Sequence, residues 1–443
     1  MLPDETLLEM FYFYHKETIT SWWWWKPLVD VCRRWRRIVF ASPRYLDLRL
    51  FCTCTTPTRI SLDIWPPFPI HITYSPLEAP GEGEDNIIAA LEHHDRISHI
   101  FFDDLRSPVL ERFAVVMQKP LPVLRMLRLT SLEDIAPVLP KAFLGGSTPR
   151  LLSFTLVGIS FPALPILPTT ASHLLSLHLM DIPISGYISP ESMATCLAAL
   201  PNLGIFSLGF RSPESRPGKM SPPPRMRAVL PALFRFEFKG ISEYLEGLVA
   251  QIKTPLLNRL KITFFMDLIF DIPQLYTFIS RAQRLKPLNS AEVEFDPSTI
   301  IISLGSPIHV RLGVRCEEPD WQVASMAQIC RQLLPLISHV EQLNIGRRAS
   351  LEAVQGDGMD STQWQELFST FTGVQNLHVS EELRPLVAHV LKGLTGESAT
   401  QVLPALHSLF FKGAPPSGSI QEDIQAFVTA RQDSTHPVDV NWE

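Results

Sequence analysis

A short pattern of alternating leucine recurs along most of this chain, and it restricts the fold more than any other feature. Copies lie at residues 123–129, 151–156, 174–179, 203–208, 233–238, 257–262, 340–345, 374–379 and 406–411. Each ends on inward apolar side chains two positions apart, such as Leu127 and Leu129 or Leu343 and Ile345, the period of a strand with one buried face. The steps between the central residues Leu127, Phe154, Leu177, Phe206 and Phe236 are 27, 23, 29 and 30 residues. Later, Leu343 to Leu377 is 34 and Leu377 to Leu409 is 32. A strand this short cannot hide its apolar face alone, so the copies must stack on one another. Residues 291–316 fit the period poorly, with strand-like pieces only at 292–295 and 309–314.

Six copies follow a Leu-Pro-x-Leu or Thr-Pro-x-Leu approach, at Pro122, Pro149, Pro201, Pro231, Pro255 and Pro404. Proline there ends the preceding element and sets the strand start. The layout resembles leucine-rich repeats, although the asparagine that commonly follows their strand is absent. The resemblance implies an α/β fold: a solenoid with parallel strands on one face and helices or irregular returns on the other, over residues 90–443. An irregular connector precedes it at 51–89, rich in threonine and proline, with one strand near 70–74.

The first fifty residues have a different period. Pro3 with Asp4 and Glu5 suits a helix start, and Leu7, Met10, Phe11 and Tyr14 then recur at helical spacing, widened by Leu8. A second helix is expected after Pro27. Leu28, Val31, Cys32, Trp35, Ile38 and Val39 would form its apolar face, Arg33, Arg34, Arg36 and Arg37 its solvated face, and Ser42-Pro43 its end. Two helices with this much apolar surface need a third helix, the following domain or a partner. Four consecutive tryptophans, Trp22 to Trp25, separate the two halves and cannot all be buried in so small a module.

Leu2-Pro3-x-Glu5-x-Leu7-Leu8-Glu9-x-Phe11, followed by Val31-Cys32-Arg33-Arg34-Trp35-Arg36, resembles the F-box. The run from Trp35 to Pro43, with Leu46-Asp47-Leu48, is similar to the form common in mushroom-type fungi. The resemblance implies that residues 1–50 form a helical module docking on the Skp adaptor, and through it on a cullin ubiquitin ligase. It assigns adaptor contact to Leu2, Pro3, Leu7, Leu8, Phe11, Leu28, Val31, Cys32 and Trp35. The reading from the residues alone is an ordinary two-helix cap on the array.

Charge and cysteine usage exclude other classes. Lys+Arg 39 against Asp+Glu 45 gives a net charge of -6, which argues against a dedicated nucleic-acid binder. Six scattered cysteines are too few for a disulfide scaffold, and Cys52-x-Cys54 lacks the second pair of a zinc site. No secretory signal and no long apolar run are visible, so a cytoplasmic or nuclear protein without membrane contact is expected. Residues 211–227, with five prolines, read as a loop that interrupts the array, and Ser212-Pro213 and Ser221-Pro222 within it suit proline-directed phosphorylation.

No catalytic, metal or cofactor pattern emerges. Gly218-Lys219 lacks a phosphate-wrapping glycine run, and His93, His94 and His99 are not spaced to share a helix face. The expectation is therefore a non-enzymatic, cofactor-free receptor that holds a protein target for a cullin ligase. The alternative is a repeat scaffold outside any ligase. Strand alternation offers Arg125, Arg128, Ser153, Thr155, Ser176, His178, Arg235, Glu237, Arg259 and Lys261 as target-facing positions.

Overall fold

The structure is a computed structural model that describes residues 2–17, 24–76, 83–169, 171–214, 227–265, 270–286, 288–316, 319–347, 361–394, 398–415 and 418–443. Trp22, Trp23, Gly218, Lys219 and Ser221-Pro222 lie outside the described residues. By packing, the chain divides into two units: Met1–Ile188 with Ala199–Leu203, and Ser189–Ala198 with Gly204–Glu443.

The first unit runs α1 (Asp4–Glu17), α2 (Lys26–Val31), α3 (Arg33–Ala41), β1 (Leu50–Cys52), α4 (Thr58–Ile64), β2 (Ile70–Tyr74), α5 (Glu84–Leu91), β3 (Ile97–Phe102), α6 (Ser107–Val116), β4 (Met126–Thr130), β5 (Ser153–Val157) and β6 (Ser176–Ile182). Its strands pair in parallel in chain order. Helices return the chain after the early strands, and 3-10 turns such as Phe143–Gly146 do so later.

The second unit holds α7 (Pro190–Ala198), β7 (Ile205–Phe210), β8 (Ala228–Val229), β9 (Arg235–Gly240), α8 (Ser242–Val249), β10 (Ile252–Lys253), β11 (Arg259–Phe265) and α9 (Pro273–Arg281). Then come β12 (Ser290–Asp296), β13 (Thr299–Leu304), β14 (Val310–Arg315), α10 (Pro319–Gln332), α11 (Leu334–Ile337), β15 (Gln342–Arg347), α12 (Ser361–Ser369), β16 (Asn376–Val379), α13 (Arg384–Lys392), α14 (Ser398–Gln401), β17 (Ser408–Phe411), α15 (Ser419–Asp433) and β18 (Asp439–Trp442). Its main sheet has the order β7-β9-β11-β14-β13-β12-β15-β16-β17-β18, while β8 pairs with β10 apart from it. The fold is α/β and leucine-rich-repeat-like: a ladder of short parallel strands, with apolar inward rows and helices or turns on the return.

The inward rows are continuous. In register they run Ile72, Ile100, Leu127, Phe154 and Leu177 in the first unit, and Phe206, Phe236 and Leu260 in the second, all buried. Phe206 and Phe236 stack at 5.5 Å. Full burial of one such side chain stabilises by about 1.5–3 kcal/mol. Helices close the rows from the return side, as Phe113 does against Phe102 at 5.1 Å and Trp364 against Phe295 at 5.1 Å.

The proline approaches are turns rather than first residues of strands. In each of the six, the leucine N–H donates to the carbonyl three residues back, as Leu124 to Leu121, Leu151 to Thr148 and Leu203 to Leu200. The same bond joins Leu233 to Leu230, Leu257 to Thr254 and Leu406 to Leu403. Proline occupies the second turn position, where its fixed φ is already correct. The strand begins two residues after the leucine, so the expected starts were early.

Three other expectations need correction. The array begins at β1, not at residue 90, because the supposed connector already contains β2, α4 and most of β1 and α5. Those first strands are approached without the proline turn, so the signal that marked the later ones was missing. The poorly periodic stretch is an antiparallel meander, in which β13 pairs with β12 on one side and β14 on the other. Adding the antiparallel β13 between two strands keeps β14 parallel to β11 and β12 parallel to β15. Finally, the helix expected after Pro27 breaks at Cys32, whose φ of -161° and ψ of 167° are extended.

Two helices borrow caps from elsewhere in the chain. Glu133 accepts the Ser107 N–H and hydroxyl at the start of α6, at 2.8 and 2.6 Å. Glu246, on α8, accepts the N–H groups of Gln274 and Leu275 at the start of α9, both at 2.7 Å. Burial pushes the Glu246 carboxyl up to about 7, against the pull of those two N–H groups. This explains why neither helix carries its own side-chain cap.

The N-terminal helices are seated on the array by Trp25. It is fully buried, donates from Nε1 to the Arg49 carbonyl at 3.2 Å, and meets Trp65 at 5.0 Å and Phe68 at 5.9 Å. Trp25→Ala should cost about 3–5 kcal/mol of first-unit stability, read as an earlier step in chemical denaturation followed by tryptophan fluorescence. Glu246→Ala leaves two helix N–H groups without an acceptor, and should destabilise the second unit by about 1–3 kcal/mol in the same measurement.

Candidate functional site

The protein presents two kinds of surface suited to binding: the open end of the helical module and the outward strand rows of each unit.

In the module, α1 and α3 are tied at their starts. Arg34 on α3 donates from Nε to Asp4 Oδ1 at 2.9 Å, and from Nη2 to the Leu2 carbonyl. This link brings the start of α1 beside the α2–α3 break. Leu2 is 50% exposed and Val31 58%, and Pro3 and Cys32 are exposed as well. Leu7, Phe11 and Leu28 point the other way and are buried, with Phe11 packing on Trp35 at 4.8 Å. Leu8 and Trp35 are half-buried.

The nine residues assigned to adaptor contact therefore split into an exposed set and a set that holds the module together. The expected stripe also splits on α1, where Met10 and Tyr14 are exposed while Leu7 and Phe11 are buried. On α3 the arginines do more than face water. Arg34 pairs with Asp4, and Arg36 donates from Nε to the Val29 carbonyl at 3.0 Å across the helix break.

In the first unit, one outward row runs Phe51, His71, His99, Met126, Ser153 and Ser176 in register. The next runs Thr73, Phe101, Arg128, Thr155 and His178. Arg128, Ser153, Thr155, Ser176 and His178 thus lie on the face that alternation placed them on. Arg125 does not. It precedes β4, is exposed, and its carbonyl accepts the N–H groups of Leu152 and Ser153, so Met126 takes the row position instead.

His71 and His99 are the feature the sequence did not reveal. Their ring centroids lie 3.8 Å apart with the planes tilted by 38°, and Arg49 Nη1 lies 2.8 Å from His71 Nε2. Burial, then His99 and Arg49, push His71 down to about 2. Burial, then Arg49 and Arg125, push His99 down to about 4. His99 pairs with a histidine one strand away, not with His93 or His94, and no local spacing could have shown it.

In the second unit the rows are charged. Arg235 aligns with Arg259, and Ser207, Glu237, Lys261 and Arg311 align across β7, β9, β11 and β14. The four target-facing candidates of this unit, Arg235, Glu237, Arg259 and Lys261, all lie on these rows. Further on, His378 stacks on Phe410 at 4.3 Å. No group of three or more His, Cys, Asp or Glu residues suited to a metal ion occurs among the described residues. No helix among them is long and apolar enough to cross a membrane.

No family model matches the chain, and no curated protein sequence matches it. Among solved structures, a leucine-rich repeat-containing protein from Legionella pneumophila is similar over 71% of this chain and 93% of that one, at 14% identity and a TM-score of 0.28.

The histidine pair sets a pH dependence. Both rings are neutral when folded, whereas an unfolded histidine binds a proton near pH ~6.5. The unfolded state therefore gains protons first. Stability is complete above that pH and is lost as the pH falls toward 4, by on the order of 1 kcal/mol per pH unit for each ring. Thermal unfolding of the first unit should move to lower temperature between pH 7 and pH 5, and His71→Gln should flatten that slope.

Proposed function

We propose that this protein is a substrate receptor of a cullin-type ubiquitin ligase. The N-terminal helices dock on the Skp adaptor, and the repeat array holds a protein target. One observation carries the reading. Leu2, Pro3, Val31 and Cys32, which the F-box resemblance assigns to adaptor contact, sit exposed at one end of the module, where the Arg34 link joins α1 to α3. An exposed apolar group of this kind on a charged helical surface is suited to burial against a partner. The receptor makes and breaks no bonds itself; it raises the local concentration of target beside the ligase.

A repeat scaffold outside any ligase is the second reading. It is favoured by the other half of the same residues. Leu7, Phe11 and Leu28 are buried, and Trp25 fixes the helices onto the first repeats as a cap would be fixed.

The two readings separate in a pull-down with purified Skp adaptor. Substitution at Phe11 or Trp35 would loosen the module itself, so the exposed positions are the informative ones. Leu2→Glu with Val31→Glu should abolish adaptor capture while leaving circular dichroism and the unfolding midpoint unchanged. Absence of binding by the native chain, or equal capture by this double variant, refutes the ligase reading.

A further inference from the structure

We propose that the outward face of β9, β11 and β14 in the second unit is a docking surface for an acidic segment of a protein target. The inference deepens the target-holding half of the proposed function, and its test does not involve the adaptor.

The outward positions of these three strands carry Arg235, Lys239, Arg259, Lys261, Arg311 and Arg315, with Glu237 as the one acid among them. The whole chain has a net charge of -6, so this surplus of cations is local and runs against the composition. The register makes it sharper. Arg235 lies directly opposite Arg259, and Lys261 lies between Glu237 on one side and Arg311 on the other. Like charges in the cross-strand pairs Arg235–Arg259 and Lys261–Arg311 oppose sheet formation, and Glu237 opposite Lys261 acts against only part of this.

The available carboxylates offset only part of this. Glu237 pairs with Arg235 at 2.5 Å, and Glu294 on β12 pairs with Arg311 at 2.9 Å. Arg259, Lys261 and Arg315 are exposed and have no ion pair among the described residues. An anionic ligand on this face would supply the missing counter-charge. It would also relieve the repulsion, a gain that a neutral ligand cannot give.

The field has an edge that defines the occupant. Beyond β14, the outward positions of β13 are Thr299, Ile301 and Ser303, without charge, and those of β12 are Glu292, Glu294 and Asp296. Anions are thus favoured over β9–β14 and repelled past β13. Three strands spaced about 4.8 Å apart span roughly 10 Å, which an extended chain covers in about three residues. A short acidic run is sufficient.

The same face is poorly suited to single-stranded nucleic acid, which needs aromatic platforms beside the cations. The only aromatic ring on these outward positions, Phe265, is buried.

Fluorescence polarisation tests the proposal with the purified full-length chain. One probe is a fluorescein-labelled peptide of alternating aspartate and glycine. A second replaces aspartate with phosphoserine, so that comparing the two shows whether carboxylate or phosphate is the preferred source of charge. Saturable, salt-sensitive binding of at least one peptide is expected. Arg259→Glu with Lys261→Glu should weaken it about tenfold or more, and Arg315→Glu alone should weaken it less. Lys141→Glu, an exposed cation of the first unit, should leave it unchanged. All variants should keep native circular dichroism, and the double variant should still capture whatever adaptor the native chain captures. The proposal is overturned if neither peptide binds saturably, if the double variant binds as the native chain does, or if labelled oligouridylate binds more tightly than both peptides.

Discussion

A strand in a parallel ladder cannot satisfy its own backbone or hide its own apolar face. Every repeat here depends on the next for both. Leu127 is buried because Phe154 and Ile100 flank it in register, and the Arg125 carbonyl is satisfied by N–H groups from the following repeat. The same dependence reaches the helices, whose starts at Ser107 and Gln274 are capped by Glu133 and Glu246 from neighbouring elements. Stability in such an array is a sum of nearest-neighbour terms, so damage stays local to the repeats that share an interface.

This arrangement leaves the outward rows free to vary. Inward positions must be apolar and of matched volume, whereas outward positions need only tolerate a pleated surface. The two units use that freedom differently. The first lines its outward rows mostly with aromatic, histidine and small polar side chains, beside Met126 and Arg128. The second sets arginine and lysine in direct opposition at a cost to its own ladder. Sequence that weakens the fold without a structural return is where binding is most reasonably sought.

The N-terminal helices follow the same division of labour. Phe11, Leu28 and Trp25 hold the module together and onto the repeats, and Leu2, Pro3, Val31 and Cys32 remain outside. The break at Cys32 contributes to the split, because a continuous helix through that point would have turned Cys32 onto the same face as Leu28. The Arg36 bond to the Val29 carbonyl spans the break from α3 to α2.

The sequence by itself determined the inward rows, the turn that introduces most strands and the side of the sheet on which most candidate residues lie. These follow from alternation and from the fixed φ of proline, both local properties. Tertiary structure alone decided which strands are neighbours and in what register. That choice sets His71 against His99 and Arg235 against Arg259, and places β13 inside the meander. It moved Arg125 off the row, because a strand start is fixed by its partner's hydrogen bonds rather than by its own residues. It also divided the nine adaptor-assigned residues into buried and exposed, since burial depends on what packs above them and not on their spacing along a helix.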